Sequence, residues 1–147
     1  MSLKLTISVK DTATPAIQRL RAKLTDLSPL NRSIGLGLVA ITQRAFDEPN
    51  LRPATWPPKK DGSISTLRKH GILWRSPRVI TFDSLGVTIG SDRPYAAIHQ
   101  LGKPFPWRRG QKKGGDFPAR PYFPILNGQL TPPAQTEISR ILARYLG

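Results

Sequence analysis

The stretch RVITFDSLGVTIG, residues 78–90, predicts a β-hairpin and thereby decides the fold class. Residues 78–82 are typical of a short strand, and Val87-Thr88-Ile89 alternates apolar and polar residues as a second strand does. The intervening Asp83-Ser84-Leu85-Gly86 has the composition of a turn. A small antiparallel sheet is therefore expected in the middle of the chain.

Helices are predicted on both sides of this hairpin. Thr14-Pro15, Ser28-Pro29 and Thr131-Pro132 each place a hydroxyl residue before a proline, which is typical of a helix N-terminus. Apolar residues follow each of these pairs at helical spacing. The second helix must end at Glu48, because Pro49 cannot continue it.

Two further short strands complete the prediction, over residues 3–9 and 72–75. Gly35 and Gly37 either weaken the second helix or allow another backbone to approach it closely. The fold class is α+β, a small antiparallel sheet packed with two N-terminal helices and a C-terminal helix. One domain is expected for the 147 residues.

The charge of the chain is strongly basic and unevenly distributed. There are 23 Lys and Arg residues against 9 Asp and Glu, a net charge of +14. Residues 51–120 carry 14 basic and 4 acidic residues, so +10 of this excess lies in the middle of the chain. Two long basic loops are predicted there, over residues 49–71 and 103–118. Such a concentration of charge attracts polyanions, with an affinity that falls as salt rises.

The residue types of common catalytic and metal sites are scarce. The chain has no cysteine, and neither of its two histidines, His70 and His99, belongs to a nucleophile motif. A glycine loop that cradles phosphate is also missing. We predict no catalytic residue, no cofactor and no bound metal. No apolar run approaches the roughly 18 residues of a membrane span, and the N-terminus has no signal-peptide core. Synthesis in the cytoplasm and no membrane partner are therefore expected.

Side chains of the two loops are candidates for contact with a partner. A solvated basic surface would explain the lysines and arginines alone. The neighbouring tryptophans could instead stack on bases, as in single-strand binders, or anchor the loops against another subunit. The candidate contacts, to a partner or to DNA in a channel, are Trp56, Lys59, Lys60, Trp107, Arg108, Arg109, Lys112 and Lys113.

Several short segments follow one another in an order that resembles a known family. They are ITQRAFDEP, TWPPKK, KHGIL, VTIGSDRPYAAIHQLG and, beyond the second basic loop, FPARPYF. Over residues 36–146 this order resembles the virion morphogenesis, or tail completion, proteins of tailed phages. YAAIHQLG (residues 95–102) and PARPYF (residues 118–123), at this separation, carry most of the likeness. The chain departs from the usual pattern at WRSPRV, where members carry SGxL, and at PILNG.

The resemblance implies a structural protein of the virion rather than an enzyme. Members act as homo-oligomeric rings, often six-fold, that cap the tail tube or join the tail to the head. The implied partners are further copies of the chain, the tail tube protein, the head–tail connector protein and, non-specifically, genomic DNA in the lumen. The implied location is the tail or neck of the virion. A small basic nucleic-acid-binding protein is the alternative interpretation.

The resemblance also implies a structural role for the motif residues around the second loop. Tyr95, His99 and Gln100 would form a packed corner, and the loop would leave it after Gly102. Arg120 and Pro121 would fix the return of that loop, since a proline keeps the preceding residue extended. The guanidinium of Arg120 would bind backbone carbonyls or a carboxylate such as that of Asp92.

Overall fold

The computed structural model describes residues 2–3, 15–68, 71–102 and 118–147, and its architecture is α+β, as predicted. Two compact units are distinguished. The first unit comprises residues 1–40, 78–90 and 132–147, and the second unit comprises residues 41–77 and 91–131. The single domain expected from the sequence stays a prediction.

The first unit contains the predicted hairpin. Strand β2, Arg78–Phe82, pairs antiparallel with β3, Val87–Gly90. The carboxylate of Asp83 accepts hydrogen bonds from the amides of Leu85 and Gly86 and so closes the turn. On its other side β3 pairs with β1, Ser2–Leu3. The rest of the predicted strand over residues 3–9 lies outside the described residues.

Three helices complete the first unit. They are α1, Pro15–Thr25, the first part of α2, Ser28–Arg44, and α5, Pro132–Leu146. All three begin where the hydroxyl–proline pairs predicted. The carboxylate of Asp26 accepts hydrogen bonds from the amide and the hydroxyl of Ser28, which stabilises the free amides at the start of α2. Leu30, Ile34 and Leu38 form the buried face of α2.

The sequence predicted that helix α2 ends at Glu48, but the helix ends at Arg44. The amides of Phe46 and Asp47 donate to carbonyls three residues back, those of Gln43 and Arg44. The chain therefore tightens into turns before Pro49, since hydrogen bonds of this spacing are common at helix ends. The helix does end before Pro49, as predicted, but its last residue lies four positions earlier than expected.

The two glycines of α2 serve close packing rather than flexibility. A Cβ atom on Gly35 would lie 2.6 Å from a methyl of Val87 and 2.9 Å from one of Val79, both in the sheet. A Cβ atom on Gly37 would lie 2.7 Å from the terminal methyl of Ile141 in α5. The approaching atoms are side-chain methyls and not the backbone that the sequence analysis had proposed.

The second unit is built around aromatic rings. Phe46 packs edge to face against Trp56, with 5.9 Å between ring centroids, and lies 4.9 Å from Tyr122. Tyr122 is fully buried and also contacts Phe123. The regular elements of this unit are short: a 3₁₀ turn at Pro49–Leu51, α3 at Ile72–Arg75, α4 at Ala96–Leu101, and the hairpin of β4, Ile125–Leu126, with β5, Gln129–Leu130.

The prediction of a strand over residues 72–75 is wrong, because these residues form one helical turn. Gly71 has a left-handed backbone conformation, with φ of 68°, and its carbonyl accepts a hydrogen bond from the amide of Arg75. The indole N–H of Trp74 donates to the carbonyl of Gln43. Contacts with residues distant in sequence therefore override the apolar pattern of four residues.

The β4–β5 hairpin was not predicted. Its turn consists of Asn127 and Gly128, both with positive φ, 52° and 78°. Asn-Gly is the pair most typical of a two-residue hairpin turn. That signal was present in the sequence.

Candidate functional site

The structure describes the residues on either side of the second basic loop. Gly102, at the end of α4, precedes the undescribed part, and Pro118 follows it. The predicted contact residues within it, Trp107, Arg108, Arg109, Lys112 and Lys113, lie outside the described residues. The site is therefore defined at the two ends of the loop, by Trp56, His99, Gln100 and Arg120, which we call the loop-root cluster.

Arg120 connects both basic loops. Its side chain is 8% exposed, and it donates from Nε to the carbonyl of Pro57 at 3.0 Å and from Nη2 to that of Pro58 at 2.9 Å. Its own amide donates to the carbonyl of His99 at 2.7 Å. Of the two acceptor types left open by the sequence, backbone carbonyls are the ones observed, and Asp92 is paired with Arg93. One guanidinium thus joins residues 57–58 to the return of the second loop.

Gln100 binds the backbone that follows Arg120. Its Oε1 accepts hydrogen bonds from the amides of Tyr122 and Phe123, both at 2.9 Å, and its Nε2 donates to the carbonyl of Phe123 at 3.3 Å. One amide side chain therefore satisfies three backbone groups of a segment that is neither helix nor sheet. Two residues on, Gly102 ends α4 with a φ of 59°.

Trp56 lies inside the second unit. The side chain is 8% exposed, and its indole N–H donates to the carbonyl of Pro121 at 2.7 Å. The guanidinium of Arg52 stacks over its ring, with 3.6 Å from Cζ to the ring centroid. Trp56 therefore attaches the first loop to the return of the second. The predicted contact of Trp56 with a partner stays a prediction. In the structure the ring is buried and contacts Arg52 and the carbonyl of Pro121.

Arg52 was not identified from the sequence. It donates from Nε to the carbonyl of Ala45 at 2.6 Å and from Nη2 to that of Phe46 at 3.0 Å. These carbonyls lie just beyond the end of α2, where an α-helix leaves acceptors unsatisfied. Burial lowers the pKa of Arg52, and the charge of Asp47 opposes this effect. In sequence, only its position seven residues after Ala45 hinted at this role.

Tyr95 packs against His99, a member of the cluster. Their rings meet edge to face, with 6.1 Å between centroids, and Tyr95 is 37% exposed. Burial lowers the pKa of His99, and the positive charge of Arg120 lowers it further. A neutral imidazole beside a guanidinium is suited to packing. The contacts of His99 give it a structural place at the root of the loop.

The first loop presents its lysines on a closed turn. The amide of Lys59 donates to the carbonyl of Ser63, and the amide of Gly62 donates back to the carbonyl of Lys59, each at 2.9 Å. The carboxylate of Asp61 accepts from both the amide and the hydroxyl of Ser63. Lys59 and Lys60 are exposed at this turn. This part of the first loop therefore has a turn defined by its own hydrogen bonds.

Among the described side chains, no three His, Asp or Glu residues gather as metal ligands would. A groove of about 490 Å³ in the first unit lies between α2 and α5. Its one carboxylate, Glu137, is bound by Arg140 at 2.6 Å. The described residues therefore include side chains that hold the loops in place, whereas the carboxylate in this groove is paired and is poorly suited to acid–base chemistry.

A sequence model described as the phage virion morphogenesis family matches residues 9–147. The match includes the whole loop-root cluster and both basic loops. No curated protein and no solved structure matches the chain. No helix within the described ranges is long and apolar enough to cross a membrane.

Proposed function

The chain belongs to the phage virion morphogenesis family, and we propose that it is a structural virion protein that forms a homo-oligomeric ring, completes the tail and joins it to the head connector. The observation that carries this proposal is the family match over residues 9–147. A part in virion structure or assembly follows from the family itself. The ring and its place at the neck of the particle are the proposal.

The loop-root cluster supports a role in assembly. Arg120, which lies just after the second loop, binds the carbonyls of Pro57 and Pro58 in the first loop, so described residues of the two loop regions are joined at one place. A single partner surface can then meet both loops. The expected partners are neighbouring copies of the chain, six in a ring, together with the tail tube protein and the head–tail connector protein.

The charge of the loops favours acidic protein surfaces over a tight hold on DNA. A ring of six copies would carry about six times the +10 of residues 51–120, and phosphate affinity rises steeply with the number of contacts. A genome that must pass through the lumen cannot be bound so tightly. We therefore propose that most of this charge faces acidic partners and that contact with DNA is non-specific. In this account the chain is not an enzyme.

Deletion of the gene from the parent phage or prophage tests the proposal. We expect electron microscopy of the lysate to show filled heads apart from tails, with tails of abnormal length or with bare ends. Expression of the intact chain from a plasmid should restore joined, infectious particles. Normal particles in the absence of the gene would contradict the proposal.

A matched pair of charge reversals tests the assignment of the first loop. The double variant Lys59→Glu/Lys60→Glu should fail to restore joining, because it would repel an acidic partner. The control Arg19→Glu/Arg21→Glu makes the same change in charge at two exposed positions of α1 and should restore joining. Equal restoration by both variants would remove the first loop from the proposed interface.

Binding to DNA distinguishes the alternative function. A dedicated nucleic-acid-binding protein should retain a labelled 30-base-pair duplex near physiological salt, with a steep dependence of affinity on salt. The neck protein proposed here should bind that duplex weakly and without sequence preference. Tight binding at physiological salt, together with normal particles from the deletion strain, would favour the alternative.

A further inference from the structure

The turn that carries the two lysines also carries an exposed apolar side chain. Ile64 is 82% exposed, the highest exposure among the large apolar residues that the structure describes. Leu85, at 67%, and Leu101, at 65%, come next. A single exposed apolar residue is common on protein surfaces. Its position beside Lys59 and Lys60 on a closed turn is what requires explanation.

This segment, Lys59–Ile64, which we call the basic turn, is held in shape by its own hydrogen bonds. Two backbone hydrogen bonds link Lys59 with Ser63 and Gly62. Asp61 accepts two more from Ser63, at 2.9 Å and 2.6 Å. Gly62 supplies the positive φ, 83°, that the turn requires. Little conformational entropy remains to be lost when such a turn binds a partner.

The chain is also fixed on both sides of the basic turn. Before it, the carbonyls of Pro57 and Pro58 are bound by the buried Arg120. After it, Ser65 is buried, at 6% exposed. Ile64 is therefore exposed on a segment that is held on one side by Arg120 and is followed on the other side by the buried Ser65. An exposed apolar side chain on a turn that also carries two exposed lysines has the character of an interface anchor.

The apolar side chain within the turn favours a protein over a nucleic acid. The carboxylate of Asp61 would repel a phosphate and an acidic protein surface alike, so it does not distinguish the two partners. Ile64 offers a phosphate nothing, since it neither donates a hydrogen bond nor stacks on a base. An acidic protein surface with an apolar recess satisfies Ile64 and the two lysines, while Asp61 accepts hydrogen bonds from Ser63 within the turn.

We propose that the basic turn docks on an acidic protein surface, with Ile64 inserted into an apolar recess and Lys59 and Lys60 paired with carboxylates around it. The inference deepens the proposed function, because it names the chemistry of the partner surface that the first loop meets in the virion. Ile64 supplies the buried contact, and the lysines supply the orientation and the rate of encounter.

The test replaces Ile64 in the phage and compares it with a matched control. Ile64→Ser should lower the yield of joined, infectious particles by roughly tenfold or more, since loss of a central apolar anchor typically costs that much affinity. Leu85→Ser changes the next most exposed apolar residue, in the first unit, and should leave the yield unchanged. Ile64→Leu should restore most of the yield.

Three further measurements distinguish failure of this inference from misfolding and from failure of the proposed function. Purified Ile64→Ser should unfold at the wild-type temperature, because the side chain is exposed in the folded chain. If gene deletion prevents joining while Ile64→Ser joins normally, the inference is overturned and the proposed function stands. If deletion leaves particles normal, both fail. If Ile64→Ser weakens binding of a 30-base-pair DNA duplex, the occupant is a nucleic acid and the inference is overturned.

Discussion

The two units of the molecule differ in the kind of interaction that predominates in each. In the first unit, the buried apolar side chains of α2 are Leu30, Ile34 and Leu38, at helical spacing, and Gly35 allows the sheet to pack tightly against the helix. In the second unit, side chains bind the backbone of segments that are distant in sequence. Trp56 and Arg120, for example, span 65 and 62–63 residues to reach their acceptors.

This difference relates to what each unit has to do. Periodic apolar faces make a core that depends on volume and pattern, and such cores tolerate many substitutions. Backbone carbonyls bound by a guanidinium or an indole depend on single side chains and their geometry. We infer that the first unit supports the structure and that the second holds two loops ready for a partner. The substitutions below test that division.

The largest effect is expected from Tyr122→Ala in the second unit. Tyr122 is fully buried among aromatic rings, and truncation of such a side chain costs about 3–5 kcal/mol of unfolding free energy. Chemical denaturation measures this loss. Tyr122→Phe is the control, since it removes only a 3.4 Å hydrogen bond to the carbonyl of Ala96 and should cost far less. Equal losses in the two variants would show that the hydroxyl, and not the ring, stabilises this core.

A smaller loss is expected from Arg120→Met, which keeps an apolar stem and removes the guanidinium. The carbonyls of Pro57 and Pro58 then lose their donors, at a cost of about 1–3 kcal/mol in unfolding free energy. Denaturant titration measures the change. Arg140→Met is the control, because Arg140 is exposed and pairs only with Glu137. A loss of equal size in both variants would contradict the assigned role of Arg120.

A matched pair of glycine substitutions tests packing in the first unit. Gly35→Ala should destabilise the chain by about 1 kcal/mol, because overpacking against Val79 and Val87 outweighs the better helix propensity of alanine. Gly37→Ala meets the flexible end of Ile141 and should be close to neutral. Thermal unfolding measures both. A stabilising effect of Gly35→Ala would show that the sheet does not pack tightly at this position.

The smallest effect is a pH dependence that belongs to His99. Burial lowers its pKa in the folded chain, so the unfolded chain binds a proton more readily. Its contribution to stability is complete above the unfolded value of about 6.5 and is lost as the pH falls through the folded value. The unfolding midpoint should therefore drop between pH 7.5 and 5.5, and His99→Gln should reduce that drop.

Prediction from sequence was most successful where a pattern is local. The hydroxyl–proline pairs located the starts of α1, α2 and α5, and the turn composition of residues 83–86 located the β2–β3 hairpin. These signals depend on a few neighbouring residues. The first unit could be predicted to that extent.

The second unit could be predicted much less. Residues 72–75 have an apolar pattern that fits a strand or a helix, and the contact of Trp74 with Gln43, 31 residues away, decides between them. The hydrogen bonds from Arg120 to the carbonyls of Pro57 and Pro58 correspond to no periodic pattern in the sequence. The resemblance to a phage family predicted a structural role for Arg120, but only the structure identifies the carbonyls that it binds.

Hydrogen exchange in Arg120→Met tests most directly whether one side chain holds the first loop in place. The amides of Lys59 and Gly62 should exchange faster than in the wild-type chain, because the basic turn loses its anchor at Pro57 and Pro58. The amides of α2 between residues 30 and 40, in the first unit, should keep their wild-type rates. Unchanged exchange at Lys59 and Gly62, or an equal increase in both regions, would contradict the account.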